Sequence, residues 1–153
     1  MRQFNYPTTI LYGVGAVDAL ASRIAGRGLK RLLVVTDATL ARIGLVDRVR
    51  ESLGAAHLDA AVYDGVHPNP IEADVEEATA RFREGRCDGI IALGGGSPID
   101  VAKTVRITAT HPGPLAQYDD ALGGDARVVN PMPSLFAIPT TAGTGSEVGR
   151  SSV

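Results

Sequence analysis

The clearest chemical signal in the sequence is a run of glycines at the start of a predicted helix, formed by Gly94, Gly95 and Gly96. Ser97 suits the N-cap of that helix, Pro98 its first position, and Asp100 the acidic position of a capping box. Glycine lets the backbone approach a ligand closely, and free N–H groups at a helix start favour an anion. The pattern predicts a phosphate or pyrophosphate site, with Gly94–Ser97 and Asp100 as candidate cofactor contacts. A glycine-rich turn without a ligand is the simpler alternative.

A carboxylate follows another apolar run, where Arg31–Thr36 leads into Asp37. At the carboxyl end of a parallel strand it could accept hydrogen bonds from ribose hydroxyls and repel a 2′-phosphate, which favours NAD over NADP. The alternative is that Asp37 caps a helix beginning at Ala38. The residues alone favour neither interpretation.

A second polar loop, Pro139–Glu147, follows the apolar segment Leu135–Ile138. Loops that follow two strands of one sheet can face each other across a crevice, so we expect this loop to lie opposite the glycines. Its small residues and hydroxyls could line a dinucleotide, whereas the alternative is a flexible polar turn. The candidate contacts in this loop are Thr140, Thr141, Thr144 and Ser146.

Asn69 is held between two prolines, Pro68 and Pro70, which keep the backbone extended. An amide fixed in this way can donate to or accept from a ligand, although asparagine here is also ordinary turn chemistry. We interpret the neighbouring His67 as a solvated loop residue, since no second ligand stands at metal-binding spacing.

One resemblance to a dinucleotide motif is misleading. Gly13 and Gly15 follow an apolar segment, but the third glycine position of the motif holds Asp18. A negative charge at that position would oppose a pyrophosphate. We therefore interpret both glycines as turn residues.

The elements that must position these residues are short apolar strands alternating with amphipathic helices. Predicted strands cover Thr8–Tyr12, Arg31–Thr36, Leu58–Tyr63, Gly89–Leu93 and Leu135–Ile138. The order predicts an α/β, Rossmann-like, open and mainly parallel sheet with helices on both faces and a ligand crevice at the strand C-termini. Helical spacing from Ile71 to Phe82 predicts an exposed acidic face, rather than a metal site, formed by Glu72, Asp74, Glu76 and Glu77.

Composition limits the class of protein. The 153 residues, 44% of them hydrophobic, are enough for one dinucleotide-binding domain covering residues 1–153. A net charge of −2 with scattered basic residues argues against nucleic acid, and no apolar run is long enough to span a bilayer. We expect a cytoplasmic protein with a small-molecule partner, and the single cysteine, Cys87, to be structural.

Four ordered motifs resemble the iron-containing (group III) alcohol dehydrogenase family. They are the glycine run through Lys103, the loop from Ile138 to Val148, Asp37 after Val35-Thr36, and Asn69 between its prolines. The resemblance covers essentially the whole chain and implies a dehydroquinate synthase-like N-terminal domain. It also implies NAD(P) binding, with Gly95–Ser97 at the pyrophosphate, Asp37 at the adenosine ribose, and Thr140, Thr141 and Thr144 beside the cofactor. NADP-preferring members tend to carry a small residue at the Asp37 position, so NAD is expected.

The same resemblance implies a catalytic metal, usually Fe²⁺ and sometimes Zn²⁺, held by an aspartate and histidines of a helical C-terminal domain. Those positions are absent from this chain. The implied reaction is hydride transfer between an alcohol or aldehyde and NAD(P), with the metal as Lewis acid. We therefore expect the NAD-binding half of such an enzyme, inactive alone, from an incomplete chain; the sequence is compatible with a homo-oligomer.

Two other functions stay open. One is the NAD-binding domain of a relative on the same scaffold, such as a glycerol dehydrogenase, a dehydroquinate-synthase-like protein or a maleylacetate reductase. The sequence of the Pro139–Glu147 loop is nearer the alcohol dehydrogenases. The other is a stand-alone nucleotide-binding module without catalysis, which the absence of metal ligands favours and the unfinished C-terminal end disfavours.

Overall fold

The computed structural model describes residues 8–149 and 151–152, and this part of the chain contains one parallel four-stranded sheet. Each strand pairs in parallel with its neighbours, in the order β2-β1-β3-β4. The strands are β1 (Arg31–Val35), β2 (Asp59–Tyr63), β3 (Gly89–Gly94) and β4 (Ser134–Pro139).

Helices connect successive strands, as the alternating pattern predicts. They are α1 (Leu20–Ala25), α2 (Ala38–Arg42), α3 (Leu45–Ala55), α4 (Glu72–Glu84) and α5 (Gly96–Thr110). The irregular segment between α5 and β4 contains short 3₁₀ turns at Leu115–Tyr118, Asp120–Leu122 and Gly124–Arg127, and another precedes α1 at Ala16–Ala19. Within the described residues no helix is long and apolar enough to cross a membrane.

The central strands are buried on both faces, which explains why Leu32–Val35 of β1 and all of β3 are apolar. Side chains alternate along each strand, so Leu33 and Val35 pack with α4 and α5, whereas Leu32 and Val34 pack with α1 and α3. All residues of β3 are buried. The predicted α/β sheet with helices on both faces is confirmed.

The order in which the chain adds strands to the sheet reverses at the boundary between β1 and β3. From β1 it passes to β2 on one side, and then crosses through α4 to β3 on the other side. Open α/β sheets bind ligands in the crevice at such a switch point, at the carboxyl ends of the strands. Since Val35 lies beside Ala92 in the ladder, the residues following β1 and β3 meet at this edge.

Two predictions about elements are wrong. Thr8–Tyr12 is not a strand: no strand of the described chain pairs with it, and Tyr12 is 100% exposed. An apolar pattern cannot form a strand without a partner for its backbone N–H and C=O groups. The helical spacing from Leu45 to Leu53 also predicts that Gly54 ends a helix, but α3 continues to Ala55, because a single glycine lowers helix stability without breaking the backbone hydrogen bonds.

Candidate functional site at the strand carboxyl ends

The glycine turn joins β3 to α5 without an intervening loop. Gly94 has φ +152°, and a Cβ there would lie 2.6 Å from Pro98 Cγ, so this position requires glycine. Gly95 is the N-cap and α5 begins at Gly96. The prediction that Ser97 caps the helix is wrong, because the backbone at Gly94 lets the helix begin two residues earlier.

The start of α5 carries N–H groups that no side chain satisfies. Gly95 has no side chain to cap with, and no acceptor for the N–H of Gly96 or Ser97 exists in the described part of the chain. The next residue, Pro98, has no N–H. Two N–H groups at this helix start are therefore left without an acceptor, which is an arrangement that can bind phosphate groups.

Ser97 connects the glycine turn to the loop that carries Asn69. Its Oγ donates a hydrogen bond to the carbonyl oxygen of Pro68 at 2.7 Å. The Asn69 side chain is exposed beside this contact. The structure therefore brings Asn69 close to the glycines, and its role as a ligand contact stays a prediction.

The second loop lies against the glycine turn, as expected. The N–H of Thr140 donates to the Gly94 carbonyl oxygen at 2.9 Å. A Cβ on Gly95 would lie 3.2 Å from Thr141 Oγ1, and one on Gly96 would lie 3.2 Å from Ser146 Oγ. Side chains at the two glycines would therefore fill the space between the loops.

Within the second loop, hydroxyl groups also hold the backbone. The N–H of Ser146 donates to Thr144 Oγ1 at 3.3 Å, and that hydroxyl donates to Glu147 Oε2 at 3.3 Å. Thr140, Thr141 and Thr144 are exposed, whereas Ser146 is half-buried. The Thr140 and Thr141 side chains are therefore open to a ligand at this edge, whereas the Thr144 hydroxyl is already bonded within the loop.

Asp100 forms an ion pair inside α5. Lys103 Nζ lies 3.0 Å from Asp100 Oδ1, and the two side chains are only 10% and 13% exposed. Lys103 also donates to the Ser151 carbonyl oxygen at 2.7 Å, and Ser146 Oγ donates to Asp100 Oδ2 at 3.4 Å. The spacing of Asp100 and Lys103 along a helix predicts an i,i+3 ion pair, and the structure forms it, whereas the predicted capping box is wrong. The pair fastens α5 to the second loop, and a cofactor contact by Asp100 stays a prediction.

Asp37 caps α2, which was one of its two interpretations. Its Oδ1 accepts from the N–H groups of Thr39 and Leu40 at 2.8 and 3.0 Å. Oδ2 has no hydrogen-bond partner within residues 8–149 and 151–152. A Cβ on Gly94 would lie 3.4 Å from Leu40 Cδ1, so the capped helix lies beside the glycine turn. The cap thus leaves one carboxylate oxygen available at the switch point.

The prediction that Asp74 lies on an exposed acidic helix face is wrong. Asp74 is 1% exposed, and it lies 2.7 Å from His67 Nδ1. His67 is therefore paired rather than simply solvated. One signal could have found this contact: Asp74 is the third residue of a helix whose N-cap, Ile71, has no side-chain acceptor.

Other features of the molecule do not add to this edge. One surface cavity lies beside α3 and β2 and another between α4 and α5, both away from the glycine turn. The described residues contain no cluster of three or more histidine, cysteine or acidic side chains that could hold a metal. Burial raises the pKa of the Cys87 thiol to about 11, so this cysteine stays a protonated packing residue at neutral pH.

Comparison with known proteins gives consistent matches over nearly the whole length of this chain. The family model described as iron-containing alcohol dehydrogenase matches residues 7–153. A 4-hydroxybutyrate dehydrogenase of Cupriavidus necator is 43% identical over 153 residues, covering 100% of this chain and 40% of the relative.

Solved structures agree with this match. A 1,3-propanediol oxidoreductase is 40% identical with a TM-score of 0.86, covering 97% of this chain and 38% of that one. A sulfoacetaldehyde reductase from Bifidobacterium kashiwanohense, solved in complex with NAD⁺, is 27% identical with a TM-score of 0.80 and the same coverage. The chain thus spans about 40% of the length of the relatives it matches.

Proposed function

Because this chain belongs to the iron-containing alcohol dehydrogenase family, we propose that it is the NAD-binding part of an oxidoreductase acting on a small alcohol or aldehyde. The observation that carries this proposal is the uncapped start of α5, placed between two polar loops at the switch point of the sheet. Its two free N–H groups would hold the pyrophosphate of the cofactor.

The glycines fit this role because of the space they leave. A side chain at Gly95 or Gly96 would crowd Thr141 or Ser146 and cover the free donors. The local geometry therefore supports close approach of a phosphate group to the backbone.

The neighbouring residues would orient the rest of the dinucleotide. The free Oδ2 of Asp37 would accept hydrogen bonds from the adenosine ribose and repel a 2′-phosphate, which favours NAD over NADP. The exposed side chains of Thr140, Thr141 and Thr144 would line one side of the crevice, and Asn69 the other. When bound, the cofactor supplies a nicotinamide ring that accepts or donates hydride.

The whole protein's substrate and metal are also matters of proposal. The matched relatives are a 4-hydroxybutyrate dehydrogenase, a 1,3-propanediol oxidoreductase and a sulfoacetaldehyde reductase, whose substrates share a short chain with an alcohol or aldehyde carbon. We place the substrate of this protein in that class. Within the described residues there is no group of three or more histidine, cysteine or acidic side chains that could hold Fe²⁺ or Zn²⁺.

Calorimetric titration of the chain with NAD⁺ tests the proposal. We expect saturable binding with a Kd below about 1 mM, the upper range of ordinary cofactor and substrate affinities. Gly95→Asp should weaken binding at least about 100-fold, because a capping carboxylate occupies the free N–H groups and places negative charge at the pyrophosphate position.

A matched control is Gly54→Asp, since a Cβ at this helical glycine would meet no atom within 4 Å. It should leave affinity unchanged, and circular dichroism should show both variants folded. The proposal is wrong if the chain binds no NAD⁺ or if Gly95→Asp binds it as tightly as the original sequence.

A further inference from the structure

A single buried carboxylate closes the loop that carries Asn69. Asp74 Oδ2 accepts hydrogen bonds from the N–H groups of His67 and Ile71, both at 3.2 Å. Asp74 Oδ1 accepts a third bond from His67 Nδ1 at 2.7 Å. His67 and Ile71 immediately flank Pro68–Pro70, so one side chain binds both ends of this three-residue segment.

These hydrogen bonds stabilise the charged form of the buried Asp74 carboxyl group. Burial alone would raise the pKa of Asp74, but the hydrogen bonds from His67 and from the Ile71 N–H outweigh this effect and lower it. The carboxylate is therefore ionised at neutral pH. An ionised and buried acceptor forms strong hydrogen bonds, and its partners are held firmly in place.

The same loop is held on its other sides by the sheet and by the glycine turn. A Cβ on Gly65 would lie 2.9 Å from Tyr63 Cζ, so the tyrosine ring packs against the backbone where the loop leaves β2. Ser97 Oγ donates to the Pro68 carbonyl oxygen at 2.7 Å. The Asn69 side chain lies between these fixed points and is exposed.

We propose that Asp74 is a positioning residue, which closes the Pro68–Pro70 loop and so places Asn69 at the cofactor crevice. This inference rests on the proposed NAD site. Asp74 touches no part of that site itself and acts through the loop. The competing explanation is that Asp74 serves only as a cap for α4 through the Ile71 N–H.

The experiment separates these two roles with a replacement cap. Asp74→Asn removes the charge and leaves one acceptor oxygen. Adding Ile71→Ser supplies a conventional N-cap at an exposed position with extended backbone, but it cannot restore the bonds to His67. A positioning role therefore predicts that the double variant regains thermal stability without regaining loop order or affinity.

Two measurements follow the loop and the cofactor. In Asp74→Asn, hydrogen exchange at the His67 amide should accelerate about tenfold, since its acceptor is weakened. NAD⁺ affinity by calorimetry should fall about tenfold, equivalent to about 1.4 kcal/mol. Both changes should persist when Ile71→Ser is added. Glu76→Gln, which removes an exposed carboxylate from the same helix, should alter neither quantity.

A double-mutant cycle with Asn69→Ala tests whether Asp74 influences NAD⁺ affinity through Asn69. If Asp74 acts through Asn69, Asp74→Asn should cost little further affinity once Asn69 is truncated. Full additivity would overturn the inference. So would unchanged His67 exchange in Asp74→Asn, or full recovery of affinity by Ile71→Ser. If the original chain bound no NAD⁺, the proposed function would fail, while the exchange data would still decide whether Asp74 closes the loop.

Discussion

The helices α4 and α5 both cross the same face of the sheet, but they begin in different ways. The start of α4 holds an anion of its own chain, because the buried carboxylate of Asp74 lies in the first turn and accepts the N–H of the N-cap residue Ile71. The start of α5 has no side-chain cap at all. Glycine in place of a capping residue costs only a few tenths of a kcal/mol, so free donors can be kept at little expense in stability.

The N-termini of the two helices thus differ in the anion that each one binds. At α4 the anion is a carboxylate of the chain, and it fixes a loop. At α5 the donors are kept for an external anion, which we propose is the cofactor pyrophosphate. The aspartate in the first part of α5, Asp100, is directed elsewhere, to Lys103 and Ser146.

The largest effect on stability should come from removing the ion pair between Asp100 and Lys103. Asp100→Asn leaves the nearly buried Lys103 ammonium without its counter-ion, which should lower the free energy of unfolding by about 3 kcal/mol in urea denaturation. The variant sharpens the comparison because the damage should arise inside α5 and at the second loop, not at the helix start.

Adding Lys103→Met should recover most of that loss, since replacing both partners of a buried pair by neutral groups is far less costly than removing one. The exposed pair between Arg81 and Glu84 provides the reference: Glu84→Gln should hardly change stability. Equal effects of Asp100→Asn and Glu84→Gln would show that the Asp100 pair is not important for packing.

A smaller effect, on cofactor preference, is expected at Asp37, whose carboxylate caps α2 and is also proposed to contact the cofactor ribose. Asparagine caps helices about as well as aspartate, so Asp37→Asn should keep α2 intact while removing the negative charge. The affinity for NADP⁺ relative to NAD⁺ should then rise about tenfold, because the 2′-phosphate is no longer repelled. Calorimetry with both nucleotides measures the ratio.

Asp59→Asn is the control for this change, since Asp59 begins β2 at the opposite edge of the sheet. It should leave the nucleotide ratio unchanged. If Asp37→Asn also leaves the ratio unchanged, the carboxylate acts only as a helix cap and has no role at the ribose.

Much of the sheet could be predicted from the sequence because its signals are local. The run from Gly89 to Leu93 is apolar without alternation, as a strand buried on both faces requires, and it forms most of β3. Parallel strands place their following loops at one edge. The proximity of Asp37, the glycine turn and the second loop therefore followed from the order of elements alone.

The details that could not be predicted depend on contacts between distant segments. Serine caps helices often, so Ser97 was the natural choice, yet its hydroxyl binds the Pro68 carbonyl, 29 residues away. Likewise Asp74 looks like one more acid in a charged helix until folding brings His67 onto it. Local pattern states what a residue can do, whereas the fold decides which partner it meets.

Backbone NMR during an NAD⁺ titration tests the central claim most directly. The amide signals of Gly96 and Ser97 should show the largest shifts in the chain, because their N–H groups would gain phosphate acceptors. The start of α3 is the internal control, since it also follows a glycine without a side-chain cap but comes directly after α2 rather than after a strand. Its Leu45 and Val46 amides should remain unshifted. Shifts at α3 equal to those at α5, or none at Gly96 and Ser97 under saturating NAD⁺, would contradict the account.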